Sequence, residues 1–131
     1  MNGDSIIRWI HLLAACVWIG GSITVAALVP VLRKSGASVE LVRAVARRFG
    51  VVAWSAITVS VTTGIIQLVR LDYPTRGNTA LALKLLLVGL AVAVAWFHQI
   101  VARKISPGLR GALEGILLLL ALGILAAAVA L

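Results

Sequence analysis

Four long apolar stretches limit what this chain can fold into. Of its 131 residues, 62% are apolar and 12% are charged, whereas a soluble domain is about half apolar and a quarter charged. A membrane-spanning helix needs about 20 apolar residues, so four of them use about 80 to 95 residues and leave only short loops. The runs are continuous rather than alternating, which excludes a β-barrel. The sequence predicts an all-α integral membrane protein, a four-transmembrane-helix bundle that forms a single domain.

Breaks in the apolar pattern define the predicted spans, which are at about residues 6–29, 49–71, 79–101 and 109–131. The first span is expected to stop at Pro30, because proline cannot continue a helix without a kink. Residues 38–47 could form a short interfacial helix. The turn-forming sequence DYPTRGN ends the second span, and Ser106-Pro107-Gly108 breaks the chain after the third. The first span is too long for a cleavable signal peptide and has no basic segment before it.

Basic residues are concentrated on one side of the predicted membrane. The net charge is +8, and its position beside apolar spans indicates a topology determinant rather than a nucleic-acid interface. The loops after the first and third spans hold eight Lys or Arg residues: Arg33, Lys34, Arg43, Arg47, Arg48, Arg103, Lys104 and Arg110. The opposite side holds three: Arg8, Arg70 and Arg76. The positive-inside rule therefore predicts that both termini lie on the non-cytoplasmic side of the cell membrane.

Titratable side chains within spans are functional candidates, because they are costly in lipid. Glu114 follows Arg110 by four residues, so a helix-surface ion pair is expected to explain it. His98 is expected near the cytoplasmic surface, either as an interfacial residue or as a ligand at a second site.

His11 and Lys84 are predicted to lie at the same depth. Each is about five residues inside the outer end of its span, or roughly 7 to 8 Å, and the two helices run in the same direction. Separately, Lys84 could extend to the nearby surface, and His11 could be a core histidine bonded to a backbone carbonyl. Together, they could be two axial ligands of a planar macrocycle, or form a metal or proton site.

Two rows of residues, one in the first span and one in the second, are predicted to reach the depth of His11 and Lys84. The row in the first span is suited to a flat ligand or to helix packing, and it consists of His11, Ala14, Trp18, Gly21 and Ser22. In the second span, Thr63, Gln67 and Arg70 share one face. Arg70 could pair with an anionic group such as a haem propionate, or it could be an interfacial anchor.

Copper ligands are scarce in this sequence. Cu(I) sites favour the sulfur atoms of Met and Cys, and the chain has only Met1 and Cys16. Cys16 lies about 140° around the helix from His11, so their side chains do not converge. A single cysteine also excludes an intramolecular disulfide.

Three segments of the chain resemble the copper-resistance protein D (CopD) domain family: IHLLAACVWIGGSI, VARRFGVVAWSAITVSVTTGIIQLVRL and NTALALKLLLVGLAVAVAWFHQIVARK. The resemblance covers about residues 5–104. The chain is also similar to the related HemJ-type protoporphyrinogen oxidases, which have a histidine early in the first helix and a lysine early in a later one. Those residues are associated with haem binding, so the resemblance implies that His11 and Lys84 ligate haem iron here.

The expected function is therefore to bind a b-type haem near the outer leaflet, for electron transfer or as a haem-dependent membrane oxidoreductase. Trp18, Gln67 and Arg70 are expected beside the haem, and His98 is the alternative metal ligand. The resemblance also leaves open copper transport or resistance of the CopD type. A third hypothesis is an accessory subunit of a larger membrane complex. The thin bundle and its glycines favour self-association or a membrane partner subunit.

Overall fold

Four helices account for nearly all of the chain that the structure describes. The computed structural model describes residues 2–70 and 77–131, except for the side chain of Pro107. The helices are α1 (Gly3–Lys34), α2 (Val39–Arg70), α3 (Thr79–Val101) and α4 (Pro107–Val129). Each is long and apolar enough to cross a membrane. The predicted all-α class with four membrane-length helices is confirmed.

Each helix begins at a polar side chain that accepts a hydrogen bond from a backbone N–H of the first turn. These N-caps satisfy donors that have no partner within the helix. The capping residues are Asn2, Ser38, Asn78 and Ser106, with donor–acceptor distances of 2.9, 3.1, 3.1 and 3.3 Å respectively. Polar residues in the short loops therefore set where the apolar helices begin.

The helices extend beyond several predicted span limits. α1 continues through Pro30 to Lys34, because the bond that proline removes lies close to the helix end, where few further turns depend on it. Residues 38–47 are not a separate interfacial helix, since α2 runs unbroken from Val39. α4 begins at Pro107, where the missing N–H needs no helical partner. Most of the predicted DYPTRGN turn, residues 72–76, lies outside the described residues.

The chain forms two compact units, one containing α1 and α2 and the other containing α3 and α4. In the first unit, Ala14 and Ile19 of α1 are buried, as are Ala56 and Ile57 of α2. Gly21 allows a close approach, since a Cβ atom there would lie 2.7 Å from Cε2 of Phe49. This helical pair is therefore held partly by close packing around small residues.

The second unit also packs through small and branched side chains. Ala91 of α3 has no exposed surface, and Ala121 of α4 is only 1% exposed. Gly123 faces Leu87, whose Cδ1 would lie 3.4 Å from an added Cβ. Small residues allow the two backbones to come close, which is the usual packing solution between helices in lipid.

Large apolar side chains cover much of the outer surface of each unit. Leu86 and Leu119, for example, are 59% and 70% exposed. Contiguous apolar surface on this scale is uncommon on soluble proteins. Together with the lengths of the helices, it identifies a multi-pass membrane protein whose surface contacts the lipid bilayer.

Candidate functional site

His11 is half-buried on α1 and contacts α2. Its Nδ1 lies 2.8 Å from the backbone oxygen of Ser60 and 3.1 Å from Oγ1 of Thr63. A carbonyl oxygen can only accept a hydrogen bond, so Nδ1 carries the proton and donates it. In a neutral imidazole, Nε2 then holds the lone pair.

This contact is the backbone-carbonyl bond expected of a core histidine, and it is also the bond that orients a histidine ligand. Metal-bound histidines commonly donate their other N–H to a carbonyl or carboxylate, which fixes the tautomer and the ring orientation. The sequence could not distinguish these two roles. The geometry is compatible with both roles, and in the neutral ring the lone pair is on Nε2.

Three residues of α2 form a cradle for the His11 ring: Ser60, Thr63 and Gly64. Thr63 is only 8% exposed, and its hydroxyl donates to the backbone oxygen of Val59 at 2.7 Å, so its lone pairs can accept from His11. A Cβ at Gly64 would lie 3.3 Å from Cε1 of His11. Gly64 therefore provides space that any larger residue would reduce.

A polar strip leads from the cradle to the nearer end of the α1–α2 pair. Gln67 is half-buried, and its Nε2 donates to the backbone oxygen of Thr63 at 3.3 Å. Beyond it, a guanidinium nitrogen of Arg70 lies 4.0 Å from a carboxylate oxygen of Asp4, with both side chains more than half exposed. Asp4 was not among the predicted site residues, although its position seven residues before His11 places it on the same helix face.

Trp18 lies on the same face of α1 as His11 and is half-buried. Its backbone oxygen accepts a hydrogen bond from the Ser22 hydroxyl at 2.8 Å. The structure thus brings His11, Gln67 and Arg70 into one polar interface, with Trp18 two turns further along α1.

An open apolar groove runs along the α1–α2 pair and begins next to His11 in the sequence. Its volume is about 260 Å³. The residues that line it are Ile10, Leu13, Ala14, Val17, Val52, Ser55, Ala56 and Val59. Seven of these eight are apolar, so the groove offers a surface suited to a flat apolar ligand.

Lys84 lies on α3, in the second unit, and is half-buried there. It is six residues after the N-cap Asn78, which places it in the second turn of the helix. Its predicted pairing with His11 stays a prediction.

The contacts at the α3–α4 connection differ from those predicted. The predicted Arg110–Glu114 ion pair is wrong: Glu114 Oε1 instead lies 3.7 Å from Nε2 of His98. The Arg110 guanidinium donates to the backbone oxygen of Ala102, at the end of α3. The last carbonyls of a helix have no helical partner, so they attract such a donor.

The short turn between α3 and α4 explains this arrangement. His98 and Ala102 are one turn apart on α3, and Arg110 and Glu114 are one turn apart on α4. An antiparallel pair brings the two sets together. The distance of 3.7 Å is too long for a direct hydrogen bond, and within the described part of the chain the buried Nε2 of His98 has no hydrogen-bond partner.

The described residues do not form a conventional protein metal site. Within residues 2–70 and 77–131, no group of three or more His, Cys, Asp or Glu residues could hold a metal ion. The thiol of Cys16 is exposed and unpaired with another cysteine. A haem needs fewer protein ligands, because its macrocycle already holds the iron and one or two axial side chains complete the coordination. The donor set around His11 fits that requirement.

Compared with known proteins, the chain matches no family model, no curated protein and no solved structure. The resemblance to the CopD and HemJ groups therefore stays a prediction from the three sequence segments.

Proposed function

We propose that this membrane protein binds a b-type haem through His11 and takes part in electron transfer or haem-linked redox chemistry. The observation that supports this most directly is the hydrogen bond from Nδ1–H of His11 to the Ser60 carbonyl. This bond selects the tautomer in which Nε2 carries the lone pair. A ligand histidine needs that lone pair and a fixed ring orientation.

The rest of the α1–α2 interface supports the same role. Gly64 gives the ring space, and the groove along the same helical pair supplies an open apolar surface. Arg70 could exchange its exposed Asp4 partner for a propionate, because a guanidinium binds carboxylates well. When bound, the haem would supply the redox chemistry, while the chain supplies a ligand, its orientation and the charge near the propionates.

Lys84 is the other residue that we propose would hold the haem, because the chain resembles the HemJ group. A lysine amine must be neutral to bind iron, and the metal itself favours that form. Copper transport of the CopD type, or an accessory role in a larger complex, would replace this proposal if the protein took up no haem.

The visible spectrum of purified protein after haem addition tests the proposal. The wild type should show a Soret band, and His11→Ala should lose nearly all of it. Lys84→Ala should keep haem as a five-coordinate or water-ligated species with a shifted band. His98→Ala is the matched control and should resemble the wild type. A wild-type spectrum in His11→Ala, or loss of haem in His98→Ala alone, would place the site elsewhere.

Three finer features belong to the same proposal. We propose that the membrane is the plasma membrane, and that both termini lie outside the cytoplasm. A cysteine placed between residues 33 and 48 should then resist an impermeant thiol reagent added to intact cells, whereas ready labelling would reverse the topology.

We also propose self-association or a membrane partner subunit, and a monomeric mass in both mild detergent and nanodiscs would contradict self-association.

A further inference from the structure

The end of the α1–α2 pair that carries the connecting turn extends past the apolar spans. Each helix has 32 residues, or about 48 Å at 1.5 Å per residue, whereas the hydrocarbon core of a bilayer is about 30 Å thick. In α2 the apolar segment begins at Phe49, so residues 39–48 precede it over about 15 Å. Phe49 packs against Gly21 of α1, so residues 39–48 run beside the last apolar turns of α1, and this end of the pair lies at one membrane surface.

Five basic residues surround this end, and we call them the cationic collar: Arg33, Lys34, Arg43, Arg47 and Arg48. All five are exposed. Within the described residues, the ion pairs are formed by Arg70 with Asp4 and by His98 with Glu114, so none of the collar cations is neutralised by a carboxylate. Glu40 is the single acidic residue between positions 31 and 48. The collar is thus a strongly positive surface with uncommitted charge.

The cations of α2 emerge on both flanks of the helix. Val42 is buried, at 9% exposure, and marks the side that faces α1. At 100° per residue, Arg43 and Arg47 lie about 100° and 140° from Val42 in one direction, and Arg48 lies about 120° away in the other. A protein docking on one face would contact only part of this set. Lipids, which surround a membrane protein, can contact all of it.

We propose that the cationic collar binds the phosphate groups of anionic phospholipids at one membrane surface. The head-group layer is about 5 to 7 Å deep on each side of the hydrocarbon core, so long Arg and Lys side chains at this end of the helices reach it. Guanidinium groups bind phosphate through paired hydrogen bonds. Val31, Val39 and Leu41, exposed at 58%, 60% and 49%, lie among the cations. Apolar and basic side chains together are typical of helical segments at a lipid interface.

The connection between α3 and α4 provides an internal control. Arg103 and Lys104 are exposed, but the Arg110 guanidinium is engaged by the Ala102 carbonyl. The α3–α4 connection is similar in length to the α1–α2 connection, but it has fewer cations without a partner than the collar has. Removing two charges there changes the net charge of the protein by the same amount as removing two from the collar.

Native mass spectrometry of the detergent-purified chain, titrated with phosphatidylglycerol or phosphatidylcholine, tests the proposal. Each basic residue near an anionic surface contributes about fivefold to binding, so Arg47→Gln with Arg48→Gln should weaken phosphatidylglycerol binding by about tenfold or more. Arg47→Lys with Arg48→Lys should retain most of the binding, because the charge is kept. The control, Arg103→Gln with Lys104→Gln, should weaken it by no more than about fivefold, which is the contribution of one residual contact.

Two results would overturn the proposal. One is equal binding of phosphatidylglycerol and phosphatidylcholine by the wild type. The other is an equal loss of binding in the collar variant and the control variant. A polyglutamate peptide that bound the collar, with no lipid preference, would assign the surface to an acidic protein instead. Inorganic phosphate at equal concentration should not displace the lipid, since the collar is proposed to bind head groups anchored in a membrane.

Discussion

The two helical pairs are held together in different ways. Between α1 and α2, His11 donates to the Ser60 carbonyl and Thr63 is buried beside it. Between α3 and α4, the described buried residues are Leu81, Ala91, Ala121, Ile124 and Ala127, and the polar contacts lie at the turn. A hydrogen bond between membrane helices contributes only about 0.6 kcal/mol on average. Since small apolar residues suffice for the second pair, the polar interface of the first pair is better explained by function than by stability.

Overpacking the apolar pair should give the largest stability change. Ala91→Leu adds volume where no surface is exposed, and it should lower the free energy of unfolding by about 1 to 3 kcal/mol. Ala93→Leu, at an exposed position of the same helix, is the control and should change it little. Unfolding in mixed micelles, followed by circular dichroism, measures both. Equal effects of the two variants would mean that α3 does not pack as described.

The Thr63 hydroxyl should matter more for haem than for folding. Thr63→Val removes one acceptor of the His11 N–H at nearly constant volume. Loss of a bond to a ligand histidine typically weakens binding about tenfold or more, so a haem titration should show a decrease of about that size. Thr63→Ser should restore affinity, and Thr62→Val, at an exposed neighbouring position, should leave it unchanged. Unaltered haem affinity in Thr63→Val would show that the Thr63 hydroxyl does not help to orient the haem ligand.

Gly64→Ala should separate haem affinity from stability. The new methyl group would lie 3.3 Å from the His11 ring, and displacing the ring from its preferred rotamer costs about 0.5 kcal/mol or more, which is about two- to threefold in affinity. Alanine favours helix over glycine by about 0.5 to 1 kcal/mol, so stability should not decrease. Gly89→Ala is the control, since nothing lies within 4 Å of its added Cβ. If both variants bind haem as the wild type does, the space at Gly64 is not needed for haem binding.

The Asp4–Arg70 pair, at the exposed end of the polar strip, should contribute least to the unfolding free energy. Asp4→Asn removes a pair whose atoms are 4.0 Å apart and whose side chains are largely exposed. Such pairs contribute about 0 to 1 kcal/mol, so the unfolding free energy should change by about 0.5 kcal/mol or less, and less still in high salt. A larger loss would show that Asp4 and Arg70 hold the helical pair together.

The apolar pattern predicted the four helices because membrane crossing imposes a length and a composition that are visible in sequence. The sequence predicted that His11 could bond to a backbone carbonyl, but it could not identify Ser60 as the acceptor. Every residue has a carbonyl, and the register between the two helices decides which one His11 reaches. The same limit explains the wrong Arg110–Glu114 pair. Spacing along α4 favoured it, but the end of α3 offered Arg110 a better acceptor and placed His98 opposite Glu114.

The tautomer of His11 decides whether its Nε2 can bind iron. The chain has two histidines, so ¹⁵N NMR of histidine-labelled protein in micelles gives two ring spectra, and His98→Ala assigns them. We expect neutral His11 to carry its proton on Nδ1 before haem is added, because that nitrogen donates to the Ser60 carbonyl. A proton on Nε2 instead would rule out His11 as the proposed ligand in this tautomer, because that nitrogen would then lack the lone pair with which it is proposed to bind iron.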